Sequence, residues 1–569
     1  MDRRLWLYGT RIVPAASLLG VALLLVVSLS TPTGTTKSSW TSSCAQVVLC
    51  LYIFTLHFLS ALFPIRAIRG LNNIMRNLTG ESGTSTRALS ATARSIRFLV
   101  IIPAYKEDIE TLVATLQVLA SHPHAKDWYH VWLAMEEREP GAAVKATRLV
   151  EMSSSCFHGM DFSCHPANVP NELAGKGSNV NWAFEQFCKR FSGVINQKTV
   201  IVTIMDADTH LSARYFGQVA QHHLASVDTR DETMYVPPLV FDRNLHNVPL
   251  PVRTADIMWA GAGISNMTAA SSGANVCIPT SVYSLPLVLA KKVGGWDTDC
   301  TAIGEDMHMF LKCFFALSGH LKTQVVYAAA SQCNVSSNST GVGGVFRGLE
   351  ARYSQALRHM WGSLDTGFAI RQFAELLTQR RRARFDARVG KGISRFKSRS
   401  PTHNNRAKES QGHPTMHKLN MFIVFERLFE AHFLPTHLVL VLLTAEWHTF
   451  FHPEFPLPAT IRATLNICSL SRWLSFLLVL AYFYRYDQYH RRCVELRKKE
   501  MRVAGLLHQL DEHDGFTPTS LLGGGLLGAA LFPVGGVLFG ALPALQAVIC
   551  HVFTERLMYV VSLKPRFKQ

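Results

Sequence analysis

Long stretches without a charged residue constrain this chain more than any other feature. Residues 515–554 run 40 positions without Asp, Glu, Lys or Arg, and 12–30 and 44–65 are two further uncharged runs. About 20 apolar residues cross the hydrocarbon core of a bilayer. These runs are therefore read as membrane spans. A cleaved signal peptide is the rival for the first run. It ranks lower, because a second span follows after a short polar loop and the run is long for a signal core. Two shorter apolar runs, 432–445 and 473–484, are interrupted by Glu446 and Arg472. The sequence Phe532-Pro533-Val534-Gly535-Gly536 reads as a turn dividing the longest run in two. The expectation is six spans, two before and four after a large central region. Glu446 and Arg472 are expected to pair with each other or to face water, since lipid-exposed charge is costly.

Positive charge in the loops sets the orientation. The segment 31–43 holds one Lys and 450–461 no Lys or Arg, whereas 485–502 holds Arg485, Arg491, Arg492, Arg497, Lys498, Lys499 and Arg502. Lys564, Arg566 and Lys568 follow near the end. The central region and both termini are thus expected on the cytosolic side of a multi-pass membrane protein. There the twelve Cys are expected as thiols. The sequons at Asn77, Asn266, Asn334 and Asn338 face the wrong compartment for glycosylation. The spacing of Cys156, His158, Cys164 and His165 matches no standard zinc site, so these read as strand and loop residues. The formal charge of +17 suggests an anionic partner, but 48% hydrophobic against 17% charged residues is unlike a nucleic-acid binder.

The central region alternates strand and helix. Residues 97–102 are an apolar run stopped by Pro103, as in a buried parallel strand. Helical spacing follows over 108–121, a strand over 129–135 and a helix over 141–155. A further helix is expected over 177–191 and a strand over 199–205. This pattern implies an α/β domain with a mainly parallel sheet. Ligands of such sheets bind beyond the carboxyl ends of the strands. Tyr105-Lys106-Glu107, Glu136-Glu137 and Asp206-Ala207-Asp208 stand at three of those ends. A carboxylate pair there can bind Mg²⁺ or Mn²⁺ with substrate phosphates as further ligands. Asp206 can equally cap the strand and Asp208 the next helix.

The ordered motifs IIPAYKED, AMEE, AGKGSNVN, IMDADTH, GGWDTDCTAIGEDMHM and QALRHMWG over residues 97–365 resemble membrane-embedded family-2 glycosyltransferases, the group of cellulose, chitin and hyaluronan synthases. The resemblance implies a cytosolic nucleotide-sugar-binding domain of the GT-A type. Tyr105, Glu107 and Glu136 would line the nucleoside pocket and Lys176 would lie near the nucleotide. Asp206 and Asp208 would hold Mg²⁺ or Mn²⁺ and the diphosphate, with Asp208 the direct ligand. Asp306 would be the catalytic base. Gln355 and Arg358 match the start of the family's QxxRW motif, near diphosphate and acceptor.

Glu136-Glu137 replaces the usual Asp pair, Gly304 replaces a Thr, and His359 stands at the motif's Trp position. Trp361 follows two residues later, about 200° around a helix, so it reaches that place only through a local break. His359 and Trp361 are both candidates for the acceptor platform. Asp306 also reads as an N-cap of a helix over 307–317.

The implied reaction is inverting transfer from a nucleotide sugar, as a UDP-sugar, to a growing β-linked polysaccharide. Transfer of one sugar to a lipid such as a ceramide is the alternative. A non-catalytic scaffold or transporter is a third class, disfavoured because Asp206, Asp208, Asp306 and Arg358 are retained together. The expected organisation is two spans in 1–70, the transferase domain over 97–365, a basic linker over 366–418, an interfacial amphipathic helix over 419–433 and four spans in 432–562. The linker carries Arg380, Arg381, Arg382, Arg384, Arg388, Lys391, Arg395, Lys397 and Arg399 and suits anionic lipid headgroups.

Overall fold

A computed structural model describes residues 3–29, 40–79, 95–170, 172–193, 196–244, 248–271, 274–299, 302, 304–335, 341–396, 415–509 and 526–557. Asn338, Lys397, Arg399, Lys564, Arg566, Lys568 and most of 31–43 lie outside them.

The strands are β1 (Arg97–Ala104), β2 (Tyr129–Glu136), β3 (Gly159–His165), β4 (Val200–Ile204), β5 (Thr233–Val236), β6 (Leu239–Phe241), β7 (Tyr283–Pro286), β8 (Lys322–Val325) and β9 (Ala330–Gln332). Seven form one sheet in the order β3-β2-β1-β4-β7-β5-β8. Only β7 runs antiparallel to its neighbours. The expected mainly parallel α/β sheet is what forms. β6 and β9 pair in parallel as a separate ribbon. Pro103 does not stop β1, which continues to Ala104 paired with Met135.

The uninterrupted apolar run of β1 follows from cover on both sheet faces. Leu99 and Ile101 join one buried cluster, while Phe98, Val100 and Ile102 join the other. The second cluster packs under helices α4 (Ile109–Ala120), α6 (Ala142–Ser153) and α8 (Ala213–Ala225), with the short α5 (Ala125–Trp128) at its edge. The first lies under α7 (Lys176–Arg190), α9 (Leu250–Ser271), α10 (Leu287–Lys292) and α11 (Glu305–Ala316). Helices α12 (Gly341–Trp361) and α13 (Leu364–Phe396) follow.

Helices α1 (Arg3–Arg11), α2 (Val13–Leu29) and α3 (Trp40–Thr79) precede the sheet, and α14 (Lys418–His432), α15 (Leu434–Phe451) and α16 (Ala459–Val503) follow it. By length and composition, α3, α16 and Phe532–Phe553 can each cross a membrane. α1 with α2 and α14 with α15 are pairs bent by 53° that raise the number to five if each is one span. Two candidates thus precede the sheet and up to three follow, among the described residues. Phe532–Phe553 is one helix, so residues 532–536 form its first turn and the break in helical structure lies just before them, at Leu531. Pro533 sits in the first turn of that helix, where its missing N–H costs no hydrogen bond. Residues 515–525 lie outside the described residues.

Arg472 and Glu446 do not pair. Arg472 Nη1 lies 3.0 Å from His57 Nε2 on α3, and His57 Nδ1 donates to Ile53 O at 2.8 Å. Glu446 is exposed.

Candidate active site

The site forms where the strand order reverses between β1 and β4. Beyond β1, Lys106 turns the chain with φ of 64°, and Glu107 Oε2 accepts from Tyr105 N at 2.6 Å. Beyond β2, Glu136 is buried and paired with Arg138, whose guanidinium lies 4.7 Å from the Tyr105 ring centroid. Burial pushes the Glu136 carboxyl up, partly offset by Arg138. Tyr105, Glu107 and Glu136 are thus brought together. Glu137 points elsewhere and accepts from Ala167 N at 2.9 Å. Arg138 and Glu139, which accepts from Lys106 N at 2.7 Å, were not singled out in the sequence, although they directly follow Glu136-Glu137. His165, at the end of β3, bonds to Glu172 Oε2 at 2.9 Å.

Beyond β4 the chain turns through Asp206, with Thr209 N donating to Asp206 O at 3.0 Å. Thr115 on α4 holds the turn by donating to Ala207 O at 2.7 Å. Asp208 is 4% exposed, while Asp206 opens further to solvent. Lys176, at the start of α7, reaches Asp206 Oδ1 at 2.8 Å, Glu305 Oε2 at 3.1 Å and Ser281 O at 3.3 Å. Three acceptors match the three donors of the ammonium. Burial opposes this cation, but Asp206, Glu305 and Asp306 outweigh it and hold its pKa above the ordinary value.

Glu305 and Asp306 open α11. Glu305 is buried, its Oε1 accepting from Trp296 Nε1 at 3.0 Å and from the Tyr283 hydroxyl. Asp306 accepts from Ser281 N at 2.6 Å and from Met307 N at 2.8 Å. α11 begins at Glu305 with Gly304 as N-cap, so Asp306 lies inside the first turn and is not the cap. Two residues on, His308 is clamped between Asp365, 2.5 Å from Nδ1, and Asp297, 3.0 Å from Nε2. Burial works against the charged ring, yet the two carboxylates outweigh it and hold His308 at about 9. A Cβ at Gly304 would meet Asp365 Oδ2 at 3.3 Å, a tight contact that suits Gly where the family pattern has Thr.

Gln355, Arg358 and His359 share α12. Gln355 Oε1 accepts from Arg352 at 3.0 Å, and Arg352 pairs with Asp256 of α9 at 2.8 Å. His359 stacks on Trp259 of α9, centroids 4.2 Å apart and planes 21° from parallel. Burial, with Arg358 and Arg352 nearby, pushes its pKa well below the ordinary value and favours a neutral ring. Trp361 is not brought to this group. α12 stays helical through residue 361, and its indole is buried against His551 and donates to Glu555 O at 3.3 Å. The break that Trp361 needed to join His359 does not occur. Trp259 lay unremarked in a helix that the sequence reading did not assign.

Residues 201–486 match the family described as Glycosyl transferase family group 2. No curated protein matches the chain. Among solved structures, it resembles the mannosyltransferase PcManGT from Pyrobaculum calidifontis, in complex with GDP-Man and Mn²⁺. Identity there is 14%, coverage 77% of this chain and 97% of that one, and the TM-score 0.41. S. aureus TarS is 13% identical over 46% of this chain and 40% of that one, with a TM-score of 0.27. TarS 1-349 in complex with UDP-GlcNAc is 13% identical over 47% and 67%, again at 0.27.

Proposed function

Because the chain belongs to glycosyl transferase family group 2, with its mixed α/β sheet domain, we propose that it transfers a sugar from a nucleotide-sugar donor to a membrane-associated acceptor with inversion. The observation that carries this reading is the convergence of Lys176, Asp206, Glu305 and Asp306 on one spot beyond the carboxyl ends of the sheet. Tyr105, Glu107 and Glu136 adjoin it as the nucleoside subsite, and a diphosphate would lie between them and Lys176 and Arg358.

Displacement at an anomeric carbon needs a base for the acceptor hydroxyl and positive charge at the leaving diphosphate. Asp306, fixed by two backbone N–H groups, takes the acceptor proton. Lys176 and Arg358 are the side-chain cations that would face the leaving group, and Glu305, anchored by Tyr283 and Trp296, keeps Lys176 in place. The acceptor approaches along Gln355 and His359, with Trp259 backing the imidazole ring.

Among the described residues no group of three or more His, Cys, Asp or Glu could by itself hold a metal ion. The hard oxygen donors Asp206 and Asp208 suit Mg²⁺ or Mn²⁺ taking its other ligands from diphosphate and water. Asp208 would be the direct ligand, and the ion would stabilise the departing nucleoside diphosphate as a Lewis acid.

The acceptor is proposed to be a growing β-linked polysaccharide. Transfer to a single membrane lipid is the alternative reading. The catalytic domain is proposed to be cytosolic, with the basic linker over 366–418 at lipid headgroups. Membranes carrying the protein, given radiolabelled nucleotide sugars with Mn²⁺, test this. Label in high-molecular-weight material supports the polymer, label in organic extract the lipid, and no label with any donor overturns both.

A further inference from the structure

The basic half of α16 looks like an ordinary solvated helix in the sequence, yet Arg497 alone among its seven Lys and Arg is buried. It lies on one stripe with Tyr482, Tyr486, Tyr489, His490 and Cys493, all buried. Arg497 Nε is 3.1 Å from Asp242 Oδ2, and Nη2 donates to Asp242 O at 3.0 Å. Asp242 is 1% exposed and accepts from Ser331 Oγ with its other oxygen. Tyr489 OH adds a second anchor, donating to Leu239 O at 3.1 Å. Membrane helix α16 is thereby tied to β6 and to Asp242 just beyond it, and through Asp242 to Ser331 of β9.

The far side of that ribbon grips the turn after β4. Arg243 donates to Asp208 O. Gln332 Nε2 lies 3.5 Å from Asp206 Oδ2 and 3.3 Å from Thr209 Oγ1. His210 and Ser331 exchange backbone hydrogen bonds of 2.8 and 3.0 Å. Ribbon contacts thus flank both carboxylates. A buried Arg–Asp pair adds little net stability over apolar packing, because desolvation cancels most of the attraction. What it does supply is a fixed register between two rigid elements.

We propose that Arg497 is a positioning residue: through Asp242 it fixes the β6–β9 ribbon, and the ribbon holds Asp206 and Asp208 where cation and diphosphate bind. This rests on the proposed reading of the site. It makes α16 and the two carboxylates one mechanical body, so that the set of the membrane helix governs the reaction centre.

The test uses the full chain in nanodiscs with Arg497→Gln, Asp242→Asn and Arg497→Lys. Amide hydrogen exchange over residues 206–210 reads the turn directly, and Mn²⁺ titration with UDP reads the site. Removing an outer support of this kind costs about 10–100-fold in metal affinity or activity. Arg497→Gln and Asp242→Asn are expected to speed exchange in that segment, raise half-saturating Mn²⁺ by that range, and lower turnover with it. Arg497→Lys, which keeps the charge, should recover most of the loss. A folded Arg497→Gln or Asp242→Asn protein with wild-type exchange and Mn²⁺ titration overturns the proposal. If Arg497→Gln does not fold, Asp242→Asn and Arg497→Lys carry the same comparison. A wild type that transfers no sugar, while the segment still loosens in Asp242→Asn, overturns the glycosyl-transfer reading and upholds the anchoring.

Discussion

Asp306 and His308 are two residues apart on α11 and face different tasks. Asp306 is held by Ser281 N and Met307 N and is left half-exposed. If it is the base, Asp306→Asn should lower turnover by about 10²–10⁴ with donor affinity unchanged. If its charge only favours the helix start, the cost is about 1 kcal/mol or less and turnover survives. Turnover and donor affinity measured on one preparation separate the two. His308 makes a stability claim. Its folded pKa, at about 9 against 6.5, means that its contribution is full below about 6.5 and is lost as pH rises through about 9. The shift corresponds to about 3 kcal/mol. Tm between pH 7 and 10 should therefore fall more steeply in the wild type than in His308→Gln. Parallel curves would remove the charged clamp.

At the scale of elements, α14 combines a buried ion-pair cluster with two exposed apolar side chains. Arg66 of α3 pairs with Glu426 at 2.7 Å and Glu430 at 2.8 Å, and Arg427 with Glu430 at 2.7 Å, all turned inward. Leu419 and Phe422 are turned outward, Phe422 being 70% exposed. Met421, Val424 and Leu428 pack into the core, so α14 is apolar on its buried face and also presents Leu419 and Phe422 outward, where an interfacial helix would meet lipid. Phe422→Glu is expected to weaken membrane association of the domain while leaving it folded, read by detergent extraction at rising salt. In α3 and α16, His57 is the partner of Arg472. His57→Leu strands that cation and should lower insertion, and the double change His57→Leu, Arg472→Leu should restore it. Equal yield of all three proteins would show that Arg472 does not need His57.

At the scale of the whole molecule, the sheet and the membrane helices share one core. α3 spans 40 residues, about 60 Å, so it outruns any bilayer core. Its last turns bring Ala67, Leu71, Ile74 and Leu78 to the cluster under β1 and β4. α9 crosses it so closely that a Cβ at Gly70 would meet Ile264 O at 2.6 Å, and α9 also lies against α16, where a Cβ at Gly261 would meet the Tyr482 hydroxyl at 2.6 Å. Gly70→Val should cost about 1–3 kcal/mol through overpacking against backbone that cannot yield. A lowered Tm in detergent, with transfer per folded molecule retained below it, is the expected result. An unchanged Tm would mean that the helices part without cost.

Period and punctuation alone determine much of this protein. Largely apolar runs of 4–8 residues announced β1, β2 and β4, the first run stopped by Pro103 and the other two by carboxylates, because a strand covered on both faces holds few polar residues until it ends. The same logic marked Tyr105, Glu136 and Asp206 as neighbours, since parallel strands deliver their ends to one edge. The family motifs added Lys176 and Asp306. Residues whose role depends on a distant partner left no such signal. Arg497 reads as one more surface cation until Asp242, 255 positions away, is brought against it. His308 is an apolar-face histidine until Asp297 and Asp365 close on it. Trp361 looked like a displaced motif residue, and only the unbroken α12 turned it away from His359. Local pattern records which face of an element is buried. It does not record what that face meets, and charge pairing across the fold is decided by that alone.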